Sequence, residues 1–167
     1  MPNNNIFHTR VINEELMRIA DTLLKTPLGL VSVIRGDLSQ IPTPGILNIV
    51  PGIWIQANPA MTNQFGSLPR EHEQSYFYRL IYVRKLAKGE NFVAKNEDDS
   101  AYIGNTYTDK IYLPDITNLP TGTFILWVQV KNIEFQPPED RFVQQIHADL
   151  AAVALNLEVR VKTRRAP

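Results

Sequence analysis

The chain has 167 residues, 17 basic against 17 acidic, and contains no cysteine. Without cysteine there can be no disulfide framework, no thiolate zinc site and no thiol nucleophile. The balanced charge argues against a dedicated nucleic-acid binder, and no apolar run approaches the roughly 20 residues that span a bilayer. A chain of this size can bury roughly 70% of its unfolded surface, so a single domain over 1–167 is expected. Residues 1–9 read as a polar lead-in and 162–167 as a basic tail. MPNNNIFHTR has no apolar signal core, which points to a soluble, unexported domain.

The first helix is marked by Asn13 as N-cap, Glu14 and Glu15 in the first turn, and Lys25 in the last. Leu16, Ile19, Ala20, Leu23 and Leu24 share one face, and Pro27 and Gly29 stop the helix. LGLVSVI suits a short strand or a continued helix. Pro42, Pro44 and Pro51 make residues 41–52 an ordered connection with apolar anchors. GIWIQANP predicts a short strand at 53–57 closed by Asn58-Pro59, followed by a long hairpin loop over 60–74.

SYFYRLIYVRKL (75–86) predicts a strong strand, being aromatic and β-branched. Residues 87–122 are a polar middle with a weak helical pattern in Tyr102, Ile103, Tyr107 and Ile111. TGTFILWVQVKNIEF (121–135) is a third strand, and 137–152 either a helix near Pro138 or an approach to the closing strand. In VALNLEVRV, Val153, Leu155, Leu157, Val159 and Val161 alternate with polar or small residues, the pattern of a half-buried strand. Its expected partner is the 123–135 strand, its apolar face lies under the first helix, and its other edge stays open. Strands outnumber helices and no βαβ alternation is visible. The fold class is therefore α+β, a mainly antiparallel sheet of four or more strands with an N-terminal amphipathic helix and one or two further short helices.

No residue set points to catalysis. His8, His72 and His147 lack metal-ligand spacing, and His72 between Glu71 and Glu73 suits a solvated loop tip. No nucleophile elbow, phosphate loop or dinucleotide fingerprint occurs. The acids of EDDS lack the spacing of a calcium loop, and Arg35-Gly36-Asp37 is three common residues adjoining by chance. Neither an enzyme, a cofactor nor a metal is expected. Trp54, Tyr76, Tyr78, Tyr82 and Trp127 suit an interface, though filling the domain's own core is the more ordinary role. Long loops too apolar for disorder make Leu38, Ile41, Ile46, Met61 and Phe65 candidate partner contacts. The basic end adds Arg160, Lys162, Arg164 and Arg165, either as a contact or as charges that keep a strand edge soluble.

The order of NEELMRIADTLLK, GIWIQANP, SYFYRLIYVRK, a polar middle, TFILWVQVKNIEFQ and ADLAAVALNLEVRVKT resembles the tail-terminator and head–tail joining proteins of long-tailed bacteriophages. The resemblance implies a small α+β fold that assembles as a ring, commonly hexameric, with no catalytic residues. The ring would cap the tail tube and meet the neck or connector protein, with DNA passing through transiently and no membrane involved. The protein would then reside in the virion, assembled in the host cytoplasm. The 58–74 loop or the 87–110 segment would reach a neighbouring ring, and strand edges would pair between subunits. The other readings are a cytoplasmic ligand-binding or enzyme domain with a composite site under the aromatic strands, and an adaptor that recruits a partner by strand addition.

Overall fold

The computed structural model describes residues 4–36, 38, 43–58, 64–68, 71–110 and 123–164. Helix α1 (Asn4–Ile19) runs through a π turn (Ala20–Leu24) into the short α2 (Lys25–Leu28). Pro27 offers no N–H to the Leu23 carbonyl, so the helical ladder is already broken directly after the π turn. Gly29 ends the helix at φ 63°, and Leu30 N–H closes back on the Lys25 carbonyl at 2.8 Å.

The helix begins earlier than its sequence signals suggest. Residues 4–9 are helical rather than a lead-in, and Asn13 lies inside α1, buried, donating its amide to the Ile55 carbonyl at 3.3 Å. Val11 and Ile12 carry the apolar face upstream, and burial of that face outweighs the cap preference of Asn13. The pairs Arg10–Glu14 and Lys25–Asp21 lace the exposed side, and Arg18 reaches the buried Glu15 carboxylate at 3.1 Å.

The strands are β1 (Ser32–Arg35), β2 (Gly52–Ala57), β3 (Gln64–Leu68), β4 (Glu71–Lys85), β5 (Thr123–Glu134) and β6 (Leu150–Arg164). They form one sheet in the order β1-β2-β4-β6-β5, with β3 beside the first part of β4. Only β1 and β2 pair in parallel; the sheet is otherwise antiparallel. The α+β class holds, and β5 is the partner of β6 that alternation suggested.

The expectation of an open edge on β6 does not hold. Glu71 to Lys85 of β4 pair with Arg164 to Leu150 along the whole strand. Strand β6 is thus central, which explains why its apolar residues are so completely buried. The expected loop over 60–74 is also largely strand: Gln64–Leu68 and Glu71–Ser75 pair as a hairpin.

Two layers cover the sheet. On one face lie α1, the π turn and α3 (Phe92–Lys110), over a core that includes Leu16, Ile53, Tyr78, Tyr107 and the alternate residues Val153, Leu155, Leu157, Val159 and Val161 of β6. Helix α1 meets β1 and β2, while α3, not the first helix, covers β5 and β6. On the other face α4 (Pro138–Ile146) and a 3-10 turn (Thr43–Asn48) cover Trp54, Ile81, Val83, Ala152 and Ala154. Pro137 and Pro138 start α4, with Glu139 and Asp140 in its first turn. Asp140 also accepts the N–H of Ala152 at 2.9 Å, at a point of β6 beyond the reach of β5.

The part of the polar middle that the structure describes is mostly helix. Its 19-residue helix α3 is capped by Asn91, which accepts the Ala94 N–H at 3.2 Å. Its face toward the sheet is half polar: Asn96, Asp99 and Ser100 are buried ahead of Ile103 and Tyr107. That mixture hides the helical period in a hydrophobicity reading. Gly104 lets the helix approach β5, since an added Cβ would stand 3.3 Å from the Val130 side chain.

Candidate interaction surface

The buried polar face of α3 is matched by β4. Arg84, only 3% exposed, donates to Asn96 at 2.9 Å, to Glu90 at 2.5 Å and to the Phe92 carbonyl at 3.4 Å. Tyr82 donates to Asp99 at 3.0 Å, and Lys95 closes on the same carboxylate at 2.9 Å. Burial, then the neighbouring Asp99 charge, pushes the Tyr82 hydroxyl well above the usual phenol range. The Arg84 hydrogen bond holds the Glu90 carboxyl below the usual range. Every member has an internal partner, so this network fastens α3 to the sheet.

The far face carries a second network around Arg79. Its guanidinium donates to both carboxylate oxygens of Glu139 on α4, at 2.8 and 2.9 Å. It also donates to Glu134 on β5 and to the Asn156 carbonyl oxygen at 3.0 Å. Asn156 in turn donates to Asn132 at 2.6 Å and Glu134 at 2.9 Å, and accepts from Asn58 at 3.1 Å. The Arg79 hydrogen bond is the chief cause that holds the Glu134 carboxyl below its usual range. Asn58, Arg79, Asn132, Glu134 and Asn156, with Phe77, Lys131 and Leu157, line an open groove of about 420 Å³.

Further along that face Arg160 engages Glu73 at 3.1 Å and Ser75 at 2.9 Å, and Lys131 pairs with Glu158 at 3.6 Å. The open half of the sheet is therefore charged but internally neutralised. A second groove, of about 460 Å³, lies between the start of α3 and α4. Leu86, Phe92, Val93, Phe135 and Ala151 form its apolar lining, and Glu97 and Asp140 carry its charge. Phe92, Val93 and Phe135 are about half exposed, at 47%, 52% and 43%.

Several candidate contacts fall elsewhere than expected. Leu38 and Ile46 are 3% and 0% exposed and pack with Trp54 and Val143, so they fill this chain's own core. Trp54, Tyr76, Tyr78 and Tyr82 are buried too, and neither groove is lined by them. Arg160 is held by Glu73, and Lys162 stands opposite Phe124, itself 51% exposed. Phe65 and Arg164 lie on β3 and β6, and nothing is described of their side chains. Ile41, Met61, Arg165 and the Asp37 of the Arg35-Gly36-Asp37 run lie outside the described residues.

Sequence reasoning missed the groove between α3 and α4. Phe92 and Val93 sit in a polar stretch, and Phe135 comes at the close of a strand, so nothing in their spacing joins them. Among the described residues no three acidic or imidazole groups gather as metal ligands, and no helix is long and apolar enough to cross a membrane.

No family model and no curated protein matches this chain. Among solved structures it is similar to a chain of the virion of a native gene transfer agent (GTA) particle. The likeness covers 89% of this chain and 90% of that chain, at 13% identity and a TM-score of 0.51. At that identity the likeness is one of fold, carried over nearly the full length of both.

Proposed function

We propose that this chain is a structural virion subunit. It forms a closed ring, of six copies, at the head–tail joint, where it ends the tail tube and connects it to the neck. It has no enzymatic role and needs no cofactor. Its partners are further copies of itself, the tube protein and the neck or connector protein, with DNA passing through the ring.

The observation that carries this reading is the likeness of fold, over nine-tenths of each chain, to a component of a phage-like virion particle. The networks around Arg79 and Arg84 add support, because their charged groups are spent on each other rather than aimed at a reacting centre. The strand edges bear on assembly as well. Among the described residues β1, β3 and β5 are the outer strands, and a closed ring is one way to cover such edges.

Imaging of particles that carry the chain, together with mass measurement of the assembled species, tests the reading. About six copies in a ring between head and tail are expected. A chain absent from purified particles, or monomeric and saturably binding a small metabolite, would falsify it.

A further inference from the structure

The two halves of α3 are held by different forces. Among residues 92–100 the buried side chains are Asn96, Asp99 and Ser100, all polar, while Phe92, Val93 and Ala94 are exposed. Ser100 turns its hydroxyl back on the Glu97 carbonyl at 3.0 Å. The links from this half to the sheet are therefore those of Arg84 to Asn96 and the Phe92 carbonyl, and of Tyr82 to Asp99. The second half is pressed into the main core by Ile103 and Tyr107, both fully buried. Upstream, residues 86–91 join β4 to the helix through a turn in which the Glu90 N–H meets the Ala87 carbonyl and Gly89 stands at φ 79°.

We infer that residues 92–100 form a strap that releases from the sheet as a unit while residues 103–109 stay docked. Burial of apolar surface is the main force that keeps a helix on a sheet, and here this segment contributes only the partly covered Phe92 and Val93. On release each hydrogen bond of Arg84 and Tyr82 is exchanged for one to water, so it opposes opening only modestly. Movement of the strap changes two surfaces at once. Phe92, Val93, Asn96 and Glu97 form one wall of the groove whose other side includes Phe135 and α4, so opening alters the width of that groove. It also brings the Arg84 guanidinium, 3% exposed when the strap is closed, into contact with water. Segments that gate binding surfaces are drawn from elements of this low local stability. The inference does not rest on the ring reading and stands without it.

Hydrogen exchange on the full chain, resolved to single amides and repeated at several low urea concentrations, tests the strap. The amides of residues 96–100 are expected to exchange at least about tenfold faster than those of 105–109, and with little dependence on urea, because their opening exposes little surface. Equal rates and equal urea dependence in the two halves overturn the inference. Two variants sharpen the contrast. Ile103→Val should quicken exchange at 105–109 by about two- to tenfold and leave 96–100 unchanged, since the strap opens without disturbing Ile103. A common increase in both halves would mean that α3 opens only as a whole, which overturns the inference. Arg84→Met removes the chief fastening and should quicken 96–100 by about a further tenfold; no change there overturns it as well. The parent chain and Ile103→Val decide the matter should Arg84→Met fail to fold.

Discussion

The Tyr107 hydroxyl donates a 2.7 Å hydrogen bond to the carbonyl of Leu16, joining α3 to α1 one turn ahead of the π turn. Both residues are fully buried, and the carbonyl oxygen has the second lone pair that such a bond needs. The contact spans 91 positions of sequence and binds together the two helices that cover one face of the sheet.

Removing that hydroxyl isolates its contribution. Tyr107→Phe keeps the ring and should lower stability by about 1 kcal/mol, while Tyr107→Ala, which also leaves a cavity, should cost about 3–5 kcal/mol. Urea denaturation midpoints separate the two. A Tyr107→Phe midpoint equal to that of the parent chain would mean that the hydrogen bond contributes nothing beyond the packing.

Arg79 ties β4 to β5, β6 and α4 at once, so its loss strands two carboxylates. Arg79→Met should cost about 1–3 kcal/mol at neutral pH, moderated by the partial exposure of Glu134 and Glu139. The sign of the pH effect follows from Glu134, whose carboxyl is held below its usual range. Its contribution is fully present above the unfolded glutamate range and is lost as pH falls through the lowered native value. Stability of the parent chain should therefore drop on acidification through and below that range, and the variant should drop less. Denaturant titrations from pH 7 to 3 measure the difference; parallel curves would count against it.

Gly52 sits where β1, β2 and the 3-10 turn converge. An added Cβ would lie 2.6 Å from the Ile49 carbonyl oxygen and 2.7 Å from the Ser32 hydroxyl, which are themselves hydrogen-bonded at 2.6 Å. Gly52→Ala should cost about 1–3 kcal/mol by overpacking. Gly45→Ala, where no atom lies within 4 Å of the added carbon, should change stability far less. Melting temperatures of the pair check the contrast.

Central placement of β6 makes Leu155 a core residue at 0% exposure. Leu155→Ala should cost about 2–5 kcal/mol, against no more than about 0.5 for Val93→Ala in the monomer. Hydrogen exchange should also find the β6 amides among the slowest in the chain. Fast exchange along 153–161 would contradict the central position.

Local chemistry was enough to reveal the class of the fold. The alternation from Val153 to Val161 reads as a strand because side chains on a pleated backbone change face at each residue, whatever the neighbours are. The helical face of Leu16, Ile19, Ala20 and Leu24 was legible for the same kind of reason, and Gly29 marked its end by a backbone angle that few other residues adopt. These signals lie within one element and need no knowledge of what packs on it.

Pairing across long separations was not legible. The β4 edge on β6, the cover of Leu38 and Ile46, and the helix α3 all depend on partners far along the chain. Helix α3 was obscured because half of its buried face is polar, and Asn96 and Asp99 are stable there only because Arg84 and Tyr82 meet them. The same holds for Phe92, Val93 and Phe135, which form one surface only once α3 and the end of β5 come together. An apolar period can be read from a single segment, but the satisfaction of a buried charge and the meeting of two surface patches require the third dimension.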